Sequence, residues 1–142
     1  MTVVYTAEVR SAGDGRSGTA RSTDGHLDVT LAPPAETGGS GLGTNPEQLF
    51  AAGYAACFHS ALRLSAREAG VAVPGSAVHA SVSLIRGDDG YHLAVDLTAV
   101  LPGLNADVAA MLTAQAHRRC PYSRAVQDNI TVQIRAVDHQ PA

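Results

Sequence analysis

The chain has 142 residues, of which 45% are hydrophobic and 16% are charged, and its formal net charge is −3. This composition predicts one globular domain over residues 1–142 and argues against intrinsic disorder. The ten basic residues are scattered arginines and only 4% of residues are aromatic, so neither a nucleic-acid surface nor a membrane surface is expected.

The same features predict a cytoplasmic protein. No stretch is long and apolar enough to span a bilayer, and the N-terminal residues lack the basic and then apolar pattern of a signal peptide. Thiols are kept reduced in the cytoplasm. The two cysteines, Cys57 and Cys120, are therefore expected to be catalytic, sensing or metal-binding rather than a permanent disulfide.

The first third of the chain predicts short strands joined by turns. Residues 2–11 are β-branched and roughly alternate, which is typical of a strand. Two shorter strands are predicted over 18–22 and 26–32, because turn residues separate them. Residues 33–44 are rich in Pro, Gly, Ser and Thr and predict a loop.

A long helix is predicted over residues 45–70. Thr44 or Asn45 can cap its start, Pro46 suits its first turn, and Gly70 suits the position after its end. Its middle carries apolar or small residues nearly all round. One small chain can hardly bury every side of such a helix, so we expect a second copy to cover one face in a homodimer.

The second half of the chain begins with a predicted hairpin. Residues 76–86 and 91–101 both alternate, and Gly87-Asp88-Asp89-Gly90 supplies the turn between them.

Two helices and a last strand complete the prediction. Asn105 can cap a helix over 106–119, a short helix is predicted over 123–127, and residues 129–137 predict the final strand. Because the strands come mostly as hairpins, we expect antiparallel sheets and an α+β fold.

Cys57 lies in the middle of the long helix and is the first candidate for chemistry. Redox chemistry at sulfur needs a thiolate, yet a free thiol is mostly protonated at neutral pH. Cys57 is too far from the helix start for the helix dipole to stabilise the anion. Arg16, in a glycine-rich turn, is the candidate cation, and Glu47 is the candidate carboxylate that holds the guanidinium.

The spacing of Glu47 and Cys57 constrains this arrangement. Ten residues of helix correspond to about 15 Å, which one arginine can barely span. The simplest solution is a twofold dimer in which Glu47 of one chain lies near Cys57 of the other.

Cys120 is the candidate resolving thiol. It precedes Pro121, which disfavours helical geometry at Cys120 and places the thiol at a bend. A sulfenic acid at Cys57 would condense with such a thiol to a disulfide if the two residues were close.

Three alternatives stay open at this point. Cys57 and Cys120 could be core residues, since free cysteine is commonly buried. With His59 and His117 they could bind zinc, although Cys57 and His59 diverge on a helix. The chain could also be a binding domain without catalytic turnover.

Three segments resemble a known family. Residues 44–58 (TNPEQLFAAGYAACF) resemble the first cysteine motif of organic hydroperoxide resistance proteins, a branch of the osmotically inducible protein C family. Residues 116–123 (AHRRCPYS) resemble the second cysteine motif, and Asp14-Gly15-Arg16 resembles the loop that carries the family's arginine. The resemblance covers essentially the whole chain.

The resemblance implies a thiol peroxidase that reduces organic hydroperoxides to alcohols. Cys57 would be the peroxidatic thiol and Cys120 the resolving thiol, while Arg16 would activate the thiolate and Glu47 would hold Arg16. It also implies an intertwined homodimer with antiparallel sheets around two central helices. A dithiol, notably a lipoyl group on a protein, would recycle the enzyme, and no cofactor is implied.

Two further expectations concern neighbouring residues. Arg124 departs from the family pattern, which has a small or amide residue there, and so would alter reductant docking or local charge. Four apolar residues are candidates for a substrate pocket near Cys57: Leu49, Phe50, Phe58 and Tyr122.

Overall fold

The computed structural model describes residues 1–139 of the chain. These residues form two compact units, the first Met1–Leu49 and the second beginning at Phe50. The boundary between the two units falls inside the long helix. The predicted single domain over residues 1–142 stays a prediction.

The first unit contains a three-stranded antiparallel sheet. Its strands, in spatial order, are β1 (Val9–Ala12), β2 (Thr19–Ser22) and β3 (Asp28–Thr30). The start of the strand predicted over 2–11 is wrong, because β1 begins at Val9. Pairing decides this difference: β2 has four residues and pairs with Val9–Ala12 alone, so the alternating residues before Val9 lie in no strand of the described chain.

The second unit contains a sheet of three longer strands. β4 (Ala77–Gly87) and β5 (Gly90–Val100) form the predicted antiparallel hairpin. The expectation of antiparallel sheets is wrong for β6 (Val132–Val137), which pairs parallel to β5. The physical reason is the connection: a crossover containing helices returns the chain to the end of the sheet from which β5 started.

The helices are α1 (Pro46–Glu68), α2 (Ala106–Arg119) and α3 (Pro121–Val126). The ends of α1 and α2 agree with the sequence within two residues, but the predicted start of α3 at residue 123 is wrong, because Pro121 begins the helix. The side-chain oxygen of Asn45 accepts a hydrogen bond from the Gln48 N–H at 2.8 Å and caps α1, while Asn105 caps α2. At the end of α1, Gly70 has a φ of +70° and Val71 N–H donates to Ala66, as in a Schellman motif.

One hydrophobic cluster joins the helices and the sheet of the second unit. Its fully buried large members include Tyr54, Phe58 and Leu62 of α1, Leu97 of β5 and Leu112 of α2. Exclusion of these apolar side chains from water is the main favourable term for this unit.

The buried residues of α1 lie on one stripe at helical spacing, whereas Ala52 and Ala56 are exposed. That a second copy of the chain covers the opposite face of α1 therefore stays a prediction. No helix among residues 1–139 has the length and apolar character needed to cross a bilayer.

Candidate active site

Arg16 and Glu47 form an ion pair within the first unit. Arg16 lies in a 3₁₀ turn, Gly15–Ser17, and Glu47 lies in the first turn of α1. The two guanidinium nitrogens donate to the two carboxylate oxygens at 2.9 and 2.7 Å. This bidentate geometry is the strongest form of such a pair and fixes the orientation of the guanidinium.

The glycine-rich turn makes this position of Arg16 possible. Gly15 has a φ of +60°, which glycine adopts without strain. A Cβ atom at Gly18 would lie 2.0 Å from the carbonyl oxygen of Ala12, so the turn closes only with glycine there.

Each member of the ion pair shifts the pKa of the other. The hydrogen bonds from Arg16 hold the pKa of the Glu47 carboxyl below its ordinary value, and Glu47 raises the pKa of Arg16. Glu47 is the more buried partner, with 16% of its side chain exposed against 52% for Arg16. Glu47 therefore stays ionised at neutral pH and presents Arg16 as a fixed cation.

Cys57 and Cys120 lie together in the second unit. Both are free thiols; Cys57 is half-buried, and Cys120 is fully buried in the hydrophobic cluster. Burial raises the pKa of the Cys57 thiol, and the charge of Cys120 and a hydrogen bond between the two thiols raise it further. The structure thus brings the two predicted redox residues into contact and keeps Cys57 protonated when no cation is nearby.

The bend at Cys120 supplies one opposing effect. Cys120 has extended backbone angles, φ −63° and ψ 121°, and Pro121 starts α3 directly after it. The backbone N–H of Tyr122, in the first turn of α3, faces the Cys57 sulfur and lowers the pKa of that thiol. One amide does not outweigh burial, because the net shift is upward.

Aromatic rings line the Cys57 side of α1. Phe50, Tyr54 and Tyr122 pack with ring centroids 5.6 to 6.2 Å apart. Phe50 and Tyr122 are partly exposed and are available to a ligand, but Phe58 is fully buried in the core. The prediction that Phe58 lines a substrate pocket is therefore wrong, and the same prediction for Leu49, which is half-buried in the first unit, stays untested.

Three residues of this region were missed by sequence reasoning: Gly53, Tyr54 and Ser123. Tyr54 donates or accepts a buried hydrogen bond of 2.7 Å with Ser123, and Gly53 lies under the ring of Tyr122. The sequence feature that could have pointed to Gly53 and Tyr54 is their spacing, because both precede Cys57 by about one helical turn. Only the fold shows that they meet the residues after Cys120.

The described residues do not bring together the four ligands of the alternative zinc site, Cys57, His59, His117 and Cys120. His59 hydrogen-bonds to Ser76 at 3.0 Å. Across residues 1–139, no group of three or more His, Cys, Asp or Glu side chains is arranged to hold a metal ion. A cavity of about 530 Å³ between α2 and β6 is lined by neither Cys57 nor Cys120 and is separate from the thiol site.

Comparisons with known proteins identify the family. The model of the OsmC-like protein family matches residues 38–135. The chain belongs to the OsmC-like family. This finding confirms the resemblance carried by the two cysteine motifs.

Individual relatives match along nearly the whole chain. An organic hydroperoxide resistance protein of Xanthomonas axonopodis pv. citri is 43% identical over 132 residues, which are 92% of each chain. The organic hydroperoxide resistance protein OhrA of Bacillus subtilis is 43% identical over 139 residues, covering 95% of this chain and 97% of that protein.

A solved structure confirms the α+β fold. The organic hydroperoxide resistance protein OsmC of Legionella pneumophila superposes with a TM-score of 0.90 at 43% identity, covering 95% of this chain and 98% of the other. The roles of Cys57, Cys120, Arg16 and Glu47 in catalysis, and the approach of Arg16 to Cys57, stay predictions.

Proposed function

We propose that the chain is a cysteine-based peroxidase that reduces organic hydroperoxides to alcohols. The observation that carries this proposal is the contact between the Cys57 and Cys120 thiols, one half-buried and the other fully buried. The names of the relatives, organic hydroperoxide resistance proteins, support the same substrate class.

The first step oxidises Cys57. Its thiolate attacks the outer oxygen of the hydroperoxide, the O–O bond breaks, and the alkoxide leaves as an alcohol after it takes up a proton. Cys57 becomes a sulfenic acid. Arg16 would stabilise the thiolate and the developing alkoxide, because a fixed guanidinium acts most strongly in a partly buried site.

The second step forms a disulfide. The Cys120 sulfur attacks the Cys57 sulfur, the S–O bond breaks, and hydroxide leaves and is protonated to water. A dithiol then reduces the disulfide by exchange and closes into its own cyclic disulfide. A lipoyl group on a protein is the proposed dithiol, and the reducing cytoplasm is the proposed compartment.

In the proposed mechanism, Arg16 acts on Cys57 of a second chain. Glu47 holds Arg16 by two hydrogen bonds in the first unit, and the helical spacing of Glu47 and Cys57 was expected to be about 15 Å. In a twofold homodimer, the Arg16–Glu47 pair of one chain would face Cys57 of the other. The direction of the Cys57 pKa supports this arrangement: burial and Cys120 raise it, and the opposing effect comes from the Tyr122 N–H rather than from a cation.

The aromatic side chains explain a preference for organic peroxides. Phe50 and Tyr122 present apolar surface beside the thiol pair and bind an alkyl or aryl group through burial of apolar area. Hydrogen peroxide has no such group. Arg124 is exposed one turn beyond Cys120, so its charge is available to a docking reductant rather than to the peroxide.

Thiol titration after one equivalent of cumene hydroperoxide tests the function. The wild-type chain should lose two thiols per peroxide, and Cys120→Ser should lose one and accumulate a sulfenic acid. Cys57→Ser should keep its remaining thiol and consume no peroxide, because a hydroxyl does not supply a thiolate.

Turnover with dihydrolipoamide separates the two cysteine roles. We expect Cys120→Ser to retain the first step and to lose rapid recycling. Peroxide consumption by Cys57→Ser at the wild-type rate would overturn the proposed function, and unimpaired recycling of Cys120→Ser would overturn the resolving role.

A further inference from the structure

A buried hydrogen bond ties α3 to α1 beside the two thiols. The hydroxyls of Tyr54 and Ser123 lie 2.7 Å apart. Tyr54 is 0% exposed and Ser123 is 3% exposed, so water does not compete for either hydroxyl. A buried polar pair of this kind specifies one arrangement, because its separation leaves two hydroxyls without partners.

A second contact holds the same two segments together. The Tyr122 ring lies over Gly53, where an added Cβ atom would be 2.3 Å from the phenol oxygen. The ring also packs against Tyr54 and Phe50, at centroid distances of 5.6 and 6.1 Å. Glycine at position 53 thus permits a close approach that any other residue would block.

These contacts frame the thiol pair on both sides. Gly53 and Tyr54 precede Cys57 by about one turn of α1, and Tyr122 and Ser123 follow Cys120 directly in the first turn of α3. Burial raises the pKa of the Tyr54 phenol, and charge on Cys120 and on Cys57 raises it further, so the tyrosine lies close to both sulfurs. Fixing Ser123 on Tyr54 therefore fixes Cys120 with respect to Cys57.

We propose that Tyr54 and Ser123 are positioning residues for disulfide formation. Their hydrogen bond, called here the Tyr54–Ser123 tie, holds the Cys120 sulfur within reach of Cys57. The inference rests on the proposed peroxidase function and adds a step-specific role that the two thiols alone do not define.

The tie matters because two reactions compete for the Cys57 sulfenic acid. In one, the Cys120 sulfur bonds to the Cys57 sulfur and the S–O bond breaks, releasing hydroxide that is protonated to water. In the other, the Cys57 sulfenate attacks a second hydroperoxide, whose O–O bond breaks, giving a sulfinic acid and an alcohol. Pre-organisation accelerates the first reaction and leaves the second unchanged.

The variants Tyr54→Phe and Ser123→Ala each remove one hydroxyl of the tie and keep the surrounding apolar surface. Single-turnover mixing with cumene hydroperoxide, followed by mass spectrometry, reports the rates of sulfenic acid formation, disulfide formation and sulfinic acid formation. Tyr91→Phe is the matched control, because Tyr91 is an exposed tyrosine on β5, 66% accessible.

We expect both variants to form the disulfide about three- to tenfold more slowly, the scale set by one lost buried hydrogen bond. Sulfinic acid should rise in proportion at high peroxide. The double variant Tyr54→Phe/Ser123→Ala should be no slower than the slower single variant, because both remove the same interaction.

Repeating Tyr54→Phe in the Cys120→Ser background distinguishes positioning of Cys120 from general loosening of the site. With no resolving thiol, the tie has nothing to position, so the rates of sulfenic and sulfinic acid formation should match those of Cys120→Ser alone. General loosening of the site would change them in this background as well, and that result would overturn the inference.

The remaining outcomes are also decisive. Disulfide formation in Tyr54→Phe at the wild-type rate would overturn the positioning role and leave the proposed function intact. If the wild-type chain forms neither sulfenic acid nor disulfide with the peroxide, the proposed function fails, and the inference fails with it.

Discussion

At the scale of single residues, the proposed chemistry depends on stabilising the negative charge of the Cys57 thiolate. Burial and the neighbouring Cys120 raise the pKa of Cys57, and the Tyr122 N–H offsets them only in part. Arg16 is held as a cation by Glu47 through two hydrogen bonds. The reactive anion and its proposed counter-ion are thus prepared by separate parts of the sequence.

Arg16→Met tests this division through the pH dependence of the first step. The reaction follows the thiolate fraction, which falls at fixed pH when the pKa of Cys57 rises. Loss of a nearby cation should move the pH–rate profile upward by about one to three pH units. Stopped-flow measurement in the Cys120→Ser background isolates this step. Arg21→Met, at an exposed arginine of β2, should leave the profile in place, and coincident profiles for Arg16→Met and wild type would contradict the role of Arg16.

At the scale of secondary-structure elements, α1 serves two purposes on different faces. One stripe, which includes Tyr54 and Phe58, builds the core of the second unit. Gly53 and Cys57 lie one turn apart beside that stripe and contact the segment that starts α3. The helix therefore fixes the Cys57 thiol with the same packing that stabilises the unit.

Gly53→Ala tests whether this face is shaped for Tyr122. Alanine favours the helix by about 1 kcal/mol, but its Cβ atom would meet the end of the Tyr122 ring. Since Tyr122 is 36% exposed, we expect the ring to swing outward. The free energy of unfolding should change by less than about 1 kcal/mol, because the helix gain and the lost ring packing are similar. The rate with cumene hydroperoxide relative to hydrogen peroxide should fall.

Gly70→Ala is the control for Gly53→Ala. Gly70 has a φ of +70° and open space around it, so alanine there should cost about 1 kcal/mol of unfolding free energy without a change in peroxide preference. Denaturant unfolding and steady-state rates with both peroxides give the comparison. A loss of several kcal/mol in Gly53→Ala would mean that the helix moves instead of the ring.

At the scale of the whole molecule, both units expose residues that the proposed homodimer would cover. In the first unit, Val3, Val4 and Tyr5 are exposed ahead of β1. In the second, small residues of α1 such as Ala56 are exposed opposite the core stripe. Exposed apolar residues mark an association surface where they form one contiguous patch. The proposed homodimer would cover them and bring Arg16 to Cys57.

Hybrid dimers test a site shared between chains. Co-expressed chains carrying Arg16→Ala and Cys57→Ala, with different affinity tags, allow purification of the hybrid. If the Arg16–Glu47 pair serves Cys57 of the other chain, one of the two sites is intact and about half of the wild-type activity should return. Peroxidase turnover by the purified hybrid is the measurement.

A second hybrid provides the control. Chains carrying Arg16→Ala and Glu47→Ala damage the same pair in both sites, because Arg16 and Glu47 of one chain bond to each other. Their hybrid should stay as inactive as the parents. A hybrid of Arg16→Ala and Cys57→Ala that is no more active than the parents would contradict the shared site.

Local features of the sequence determined most of the secondary structure. Asn45, Asn105 and Gly70 fix the ends of helices through contacts within a few residues, so these ends were predictable. The glycine turn before the second strand of the hairpin was predictable for the same reason. The cysteine motifs identified the family, because their residue types and spacing are specific.

Contacts between distant residues were decided by the tertiary structure alone. The parallel pairing of β6, the late start of β1, the burial of Phe58 and the Tyr54–Ser123 tie each depend on which segments meet in space. Hydrophobic patterns predict that a residue will be buried but do not predict which residues it contacts. The sequence therefore predicted which residues carry the proposed chemistry. The fold decided that Cys57 meets Cys120 and that Arg16 bonds to Glu47, since only folding brings such separated groups within the few ångströms over which they act.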